Sequence, residues 1–120
     1  MKTKSKYKYI VFQLNGDESE IVIERSVEGE TWENFVAGLP KNDCRYIVYD
    51  FDYEPAEGGI RKKIIFIFWS PDVARIRTKM IYASSEESLK SKLNVQTRIQ
   101  ANDFSDLDFD SILSRICNVK

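Results

Sequence analysis

The sequence predicts an α/β sandwich (α+β in its element order) in which a five-stranded mixed sheet is flanked by helices. Three observations predict it. Runs of aromatic and β-branched residues come in pairs, and helix-period segments separate the pairs. One run, KKIIFIFW at 62–69, is nearly all apolar, as a strand covered on both faces by helices must be. The order reads ββαββααβα without a repeat, a low-complexity tract or a linker, and 120 residues suit one core in a single domain spanning 1–120.

Each element has a local cause. YKYIVFQL at 7–14 and EIVIER at 20–25 flank Asn15-Gly16-Asp17, a hairpin signal because Asn and Gly both tolerate positive φ. Thr31 is placed to cap a short helix that buries Trp32, Phe35, Val36 and Leu39 and stops at Gly38 and Pro40. RYIVYDFDY at 45–53 pairs with 62–69 across the turn EPAEGGIR. Ser70 is then set as a helix cap, with Pro71 at the first helical position and Asp72 on the positive end of the dipole. At 100° per residue Val73, Ile76, Met80 and Ala83 form one stripe, read as the core face, with Arg75 and Lys79 on one shoulder and Arg77 on the other. Ile81 and Tyr82 fall outside that stripe, either as interface groups beside the cations or packed on another element. SSEE at 84–87 reads as a capping box that kinks the chain into a new helical segment through Leu89 and Leu93. A short strand around QTRIQ follows, and a last helix carries Phe109, Ile112, Leu113 and Ile116, with Ser105 as its cap.

Composition narrows the chemistry. At 42% hydrophobic and 31% charged the chain reads as a cytosolic globular protein, and no apolar run approaches the ~18 residues of a membrane span. The basic start, MKTKSKYKYI, lacks a signal-peptide core. There is no histidine, which removes Ser-His-Asp and Cys-His activation and mixed metal sites, so neither an enzyme nor a cofactor is expected. Cys44 and Cys117 read as reduced thiols. The net charge of −1 hides a split: residues 60–98 hold nine Lys/Arg and three acids, residues 11–59 three and twelve. Such a split marks a basic face turned to an acidic partner, or simply solvated helices.

Other features have structural readings. Asp50 and Asp52 share one strand face without a third ligand type, Cys44 precedes a buried strand as a small core residue, and Tyr7, Tyr9, Phe12, Tyr46 and Tyr49 suit sheet packing better than base stacking.

Five blocks carry a resemblance: KYIVF at 8–12, LPKNDCRYIVYDFDY at 39–53, KIIFIFWSPD at 63–72, IRTKMIYASS at 76–85 and IQANDFSDLD at 99–108. In order and spacing, over nearly the whole chain, they resemble the actin-depolymerising factor/cofilin family. The resemblance implies the ADF-homology fold, binding to actin monomers and filaments, and severing or depolymerisation without catalysis. It implies that the long helix seats in the cleft of an actin subunit through Arg77, Lys79 and Met80, with Arg75 and Ile81 beside them. It implies a filament contact at Arg61 and Lys63 with Arg115 of the last helix, and an inhibitory phosphoinositide on Lys79, Arg77 and Lys92. A monomer on the cytoplasmic actin cytoskeleton, with access to the nucleus and no nucleic-acid partner, completes the expectation.

The chain departs from the family pattern in three places. Most of the usual N-terminal helix, with its regulatory serine, is lacking; Ser114 and Asn118 stand where some members carry charges; and KLNVQT makes a turn one residue short. Two other readings stand beside it: a binder of the actin-related branching complex like glia maturation factor, in the same fold but with a different target, against which the intact IRTKM speaks, and a module for anionic lipid or nucleic acid that uses the same basic face.

Overall fold

A computed structural model describes residues 8–16, 20–29, 31–53, 58–59, 61–93, 95 and 97–118, and of 52–53, 61–62 and 117–118 the backbone. Strands β1 (Tyr9–Leu14), β2 (Ile21–Val27), β3 (Arg45–Tyr53), β4 (Arg61–Trp69) and β5 (Thr97–Ala101) form one sheet in the order β2-β1-β3-β4-β5. All neighbours are antiparallel except β4 and β5, so the sheet is mixed, as expected. A parallel pair needs a crossover, and α2 (Ile76–Leu93) supplies it.

Side chains alternate across the strands and divide the core in two. Ile47, Tyr49, Phe51, Ile65, Ile67 and Trp69 face α1 (Trp32–Ala37) and α3 (Phe109–Asn118). Tyr46, Val48, Phe66 and Phe68 face α2. Of the expected sheet aromatics Tyr9, Phe12, Tyr46 and Tyr49 are buried, and Tyr7 lies outside the described residues. Cys44 is free and buried, 3.7 Å from the Ser70 hydroxyl.

The first hairpin is wider than Asn-Gly predicts. Residues 15–20 separate β1 from β2, closed by Asn15 N–H donating to the Glu20 carbonyl at 2.8 Å, and a bulge at Val11/Phe12 shifts the register. Thr31 caps α1 as read, accepting from Asn34 N–H at 3.1 Å. Between β3 and β4, Gly58 (φ 91°) and Gly59 (φ 85°) occupy the left-handed region that only glycine enters without strain.

The long helix corrects the sequence reading at three points. It begins at Ile76, not at Ser70, because the chain leaving β4 stays committed to β5: Ser70 N–H donates to the Ala101 carbonyl and Asp72 N–H to the Asn102 carbonyl, both at 2.9 Å. It runs to Leu93 as one unbroken helix, so the 84–87 box starts nothing; Ser84 Oγ donates back to the Ile81 carbonyl. The stripe read as core is the solvent face. Val73, Ile76 and Met80 are 74%, 73% and 66% exposed and Ala83 is exposed, whereas Tyr82, Glu86 and Leu89 face the sheet.

At the C-terminal end a 3-10 turn, Phe104–Leu107, is capped by Asp103, and Asp108 accepts from Ser111 N–H at 3.2 Å to cap α3. Ser105, read as that cap, instead donates to Asp103 at 2.5 Å.

Candidate functional site

At the exposed start of α2 apolar and cationic groups coincide. Ile76 and Met80 lie one helical turn apart, and Met80 sits roughly 160° around the helix from buried Tyr82. Arg75 and Arg77 are exposed beside them, and neither forms an ion pair among the described residues. Lys79 is half-exposed and donates from Nζ to the Asp72 carbonyl at 3.1 Å, which ties its ammonium to the turn before the helix. The structure therefore brings Arg75, Arg77, Lys79 and Met80 onto one accessible surface.

Ile81 does not belong to that surface. It is half-buried against the core beneath α2, and Tyr82 is 3% exposed. Both fell outside the predicted stripe because that stripe was inverted: the face toward the sheet holds polar groups with internal partners.

Those partners fix the helix. The Tyr82 hydroxyl accepts from Leu14 N–H at 3.0 Å, and the Tyr46 hydroxyl donates to the Tyr82 carbonyl. Burial pushes both phenols above the ordinary tyrosine range. One turn further on, Glu86 takes Arg98 Nε and, at 3.0 Å, Arg98 Nη2, while Arg98 also donates to Gln100. That carboxylate raises the guanidinium's affinity for its proton. From Tyr82 onward α2 is thus bonded to β1, β3 and β5, and Ile76–Met80 precede the first of these bonds.

Two apolar residues that the sequence reading assigned to the core, Val73 and Ile76, extend this surface. Val73 also walls an open groove of ≈ 440 Å³ with Trp69, Pro71 and Phe104. Sequence periodicity could not expose it, since the groove joins β4, the turn before α2 and the segment after β5.

Of the expected filament residues, Lys63 and Arg115 lie on the other side of the sheet. Lys63 is half-buried and stands opposite Phe51 in the β3–β4 ladder, on the face that α3 covers. Arg115 is exposed on α3. The Arg61 side chain lies outside the described residues. Of the three residues expected to hold a phosphoinositide, Arg77 and Lys79 are near neighbours, but Lys92 lies about 20 Å along the helix from Lys79. One headgroup does not span that distance.

Among the described residues no group of His, Cys, Asp and Glu comes together as metal ligands, and no helix is long and apolar enough to cross a membrane.

The family model described as cofilin/tropomyosin-type actin-binding protein matches residues 1–117. The chain is 46% identical over 118 residues to a cofilin of Ogataea parapolymorpha, covering 97% of this chain and 82% of that one. A crystal structure of a Streptomyces griseoflavus cofilin superposes with a TM-score of 0.86 at 40% identity, covering 93% of this chain and 83% of that one. Plasmodium berghei actin depolymerization factor 2 gives 0.81 at 30% identity, covering 95% and 84%.

Proposed function

The chain belongs to the cofilin/tropomyosin-type actin-binding family, and from that premise we propose that it binds actin through the exposed start of α2 and promotes filament severing and depolymerisation. The observation that carries the assignment of this surface is the exposure of Ile76 and Met80 amid Arg75, Arg77 and Lys79, on a helix locked to the sheet from Tyr82 onward. Apolar side chains at the centre supply affinity when they leave water, and cations around them steer an acidic partner into register. Severing needs no chemical step. A ligand that prefers one filament geometry shifts the filament toward it by the difference in affinity, and weakens the boundary with bare filament.

Lys63 and Arg115, with Arg61, form the second contact in this reading, engaged when two subunits of a filament are present. The protein acts as a monomer on the cytoplasmic actin cytoskeleton. Phosphoinositide binding rests on Arg77 and Lys79, where an anionic headgroup competes with actin, and Lys92 meets the lipid surface separately. The cofilin relatives favour actin itself over the branching complex as the target.

Co-sedimentation with filamentous actin, joined to a monomer-binding assay, tests the assignment. Arg77→Ala/Lys79→Ala loses roughly 2 kcal/mol or more of actin affinity with an unchanged circular dichroism spectrum. Full affinity in that variant removes α2 from the interface.

A further inference from the structure

On the face of the sheet opposite α2 lies a second apolar groove, ≈ 370 Å³ in volume, between α1 and the start of α3. Its floor is Trp32 and Leu107, both buried and joined by Trp32 Nε1 donating to the Leu107 carbonyl at 2.8 Å. Its walls are Val36, Ala37, Phe104 and Phe109, and the two phenylalanines are each 38% exposed. Phe109 is held in place by stacking on Phe51 with ring centroids 5.2 Å apart, and Trp32 meets it edge-on at 6.0 Å. The cleft is therefore built of fixed rings, the kind of preformed surface that takes a large apolar side chain without first having to order itself.

The two charged residues that line this groove, Glu33 and Asp108, are both acidic, while Lys41 lies with Asp103 beyond Phe104 in the neighbouring groove. Asp103, Asp106 and Asp110 surround the segment that forms the far wall of the groove over Trp32. No Lys or Arg occurs in residues 102–111. Arg115, on α3, points about 120° around the helix from Phe109. Among the described residues none of these five carboxylates forms an ion pair; Asp103, Asp106 and Asp108 accept from backbone N–H groups or a serine hydroxyl. An acidic rim of this kind repels an acidic actin subunit, a nucleic acid and an anionic membrane alike, and attracts a cationic chain.

We propose that this groove docks a short basic segment of a partner protein, which inserts one or two large apolar side chains between Phe104 and Phe109 while its Lys or Arg residues meet Glu33 and the aspartates. The surface is separate from the start of α2, so a subunit bound through α2 and a basic partner can be held at once, whereas a second subunit engaged through Lys63 and Arg115 would share this face of the sheet.

The test uses the whole chain and a fluorescein-labelled peptide with a leucine-rich centre and two lysines at each end. Controls replace the leucines by serine or the lysines by glutamate. The lysine–leucine peptide binds saturably and shifts the backbone amide resonances of Val36, Ala37, Phe104 and Phe109, and both controls bind at least roughly tenfold more weakly. Glu33→Lys and Ala37→Arg, exposed substitutions on α1, each weaken the peptide about fivefold or more and leave actin co-sedimentation unchanged. Equal binding of the serine control reduces the site to non-specific charge attraction and overturns the proposal. So do shifts confined to α2, or no binding at all. Shifts of the same amides on raising the concentration of the chain alone assign the groove to a second copy, which also overturns it.

Discussion

The Tyr46 hydroxyl donates to the backbone carbonyl of Tyr82, 36 residues later in the chain, inside the core beneath the long helix. The same tyrosine receives Leu14 N–H on its own hydroxyl, so a single residue of α2 is bonded both to β3 and to the end of β1.

These two bonds differ in what their loss leaves behind. Tyr82→Phe strands a buried backbone N–H and costs about 1–3 kcal/mol. Tyr46→Phe removes an extra donor from a carbonyl that keeps its helical partner, and costs about 1 kcal/mol or less. Urea midpoints at constant m-value, falling further for Tyr82→Phe than for Tyr46→Phe, check the order.

The Glu86–Arg98 pair is asymmetric in burial, with side chains 12% and 33% exposed. Arg98→Ala leaves a buried carboxylate without a cation and costs about 3 kcal/mol, whereas after Glu86→Ala the guanidinium turns to water and keeps Gln100 and the Phe68 ring. Equal losses in the two variants at neutral pH contradict this account.

Ile76→Ser and Met80→Ser distinguish a surface stripe from a core stripe. Both leave stability within about 0.5 kcal/mol of the parent, because neither side chain is buried. Each weakens actin binding by about 1 kcal/mol or more. Thermal melts and co-sedimentation on the same preparations give both numbers.

Alkaline pH destabilises the fold through a defined set of groups. Burial raises the pKa of Cys44, Tyr46 and Tyr82 above their ordinary values of 9.0, 10.0 and 10.0. In each case the unfolded chain releases its proton first, so the stabilisation is complete below pH ~9 and lost as pH rises through the folded values. The urea midpoint therefore falls above pH ~9, less steeply in Tyr82→Phe.

Much of the fold is legible in the residues because local signals and burial agree there. Thr31 before Trp32 reads as a cap and is one; 62–69 reads as a strand covered on both sides and is one. The long helix is where the reading inverts. Periodicity assigns Val73, Ile76 and Met80 to the core because they are its most regular apolar series, but the sheet-facing side is secured by Tyr82 and Glu86 through partners at Leu14 and Arg98. Such partners are remote in sequence, and a polar residue satisfied at long range looks like a solvent-facing one. The cations Arg75, Arg77 and Lys79 were identifiable from their spacing and the family resemblance. The groove beside Val73 and the acidic cleft at Phe109 were not, since each is assembled from segments that only the folded chain brings together.

Because Ser70 and Asp72 prolong the β5 ladder and Lys79 fastens to the Asp72 carbonyl, the start of α2 is anchored to the sheet at its root. Its orientational freedom is surrendered when the chain folds, not when a partner arrives. A helix start anchored in this way favours long residence over fast capture, and the dwell time of single molecules on actin is where that stiffness becomes visible.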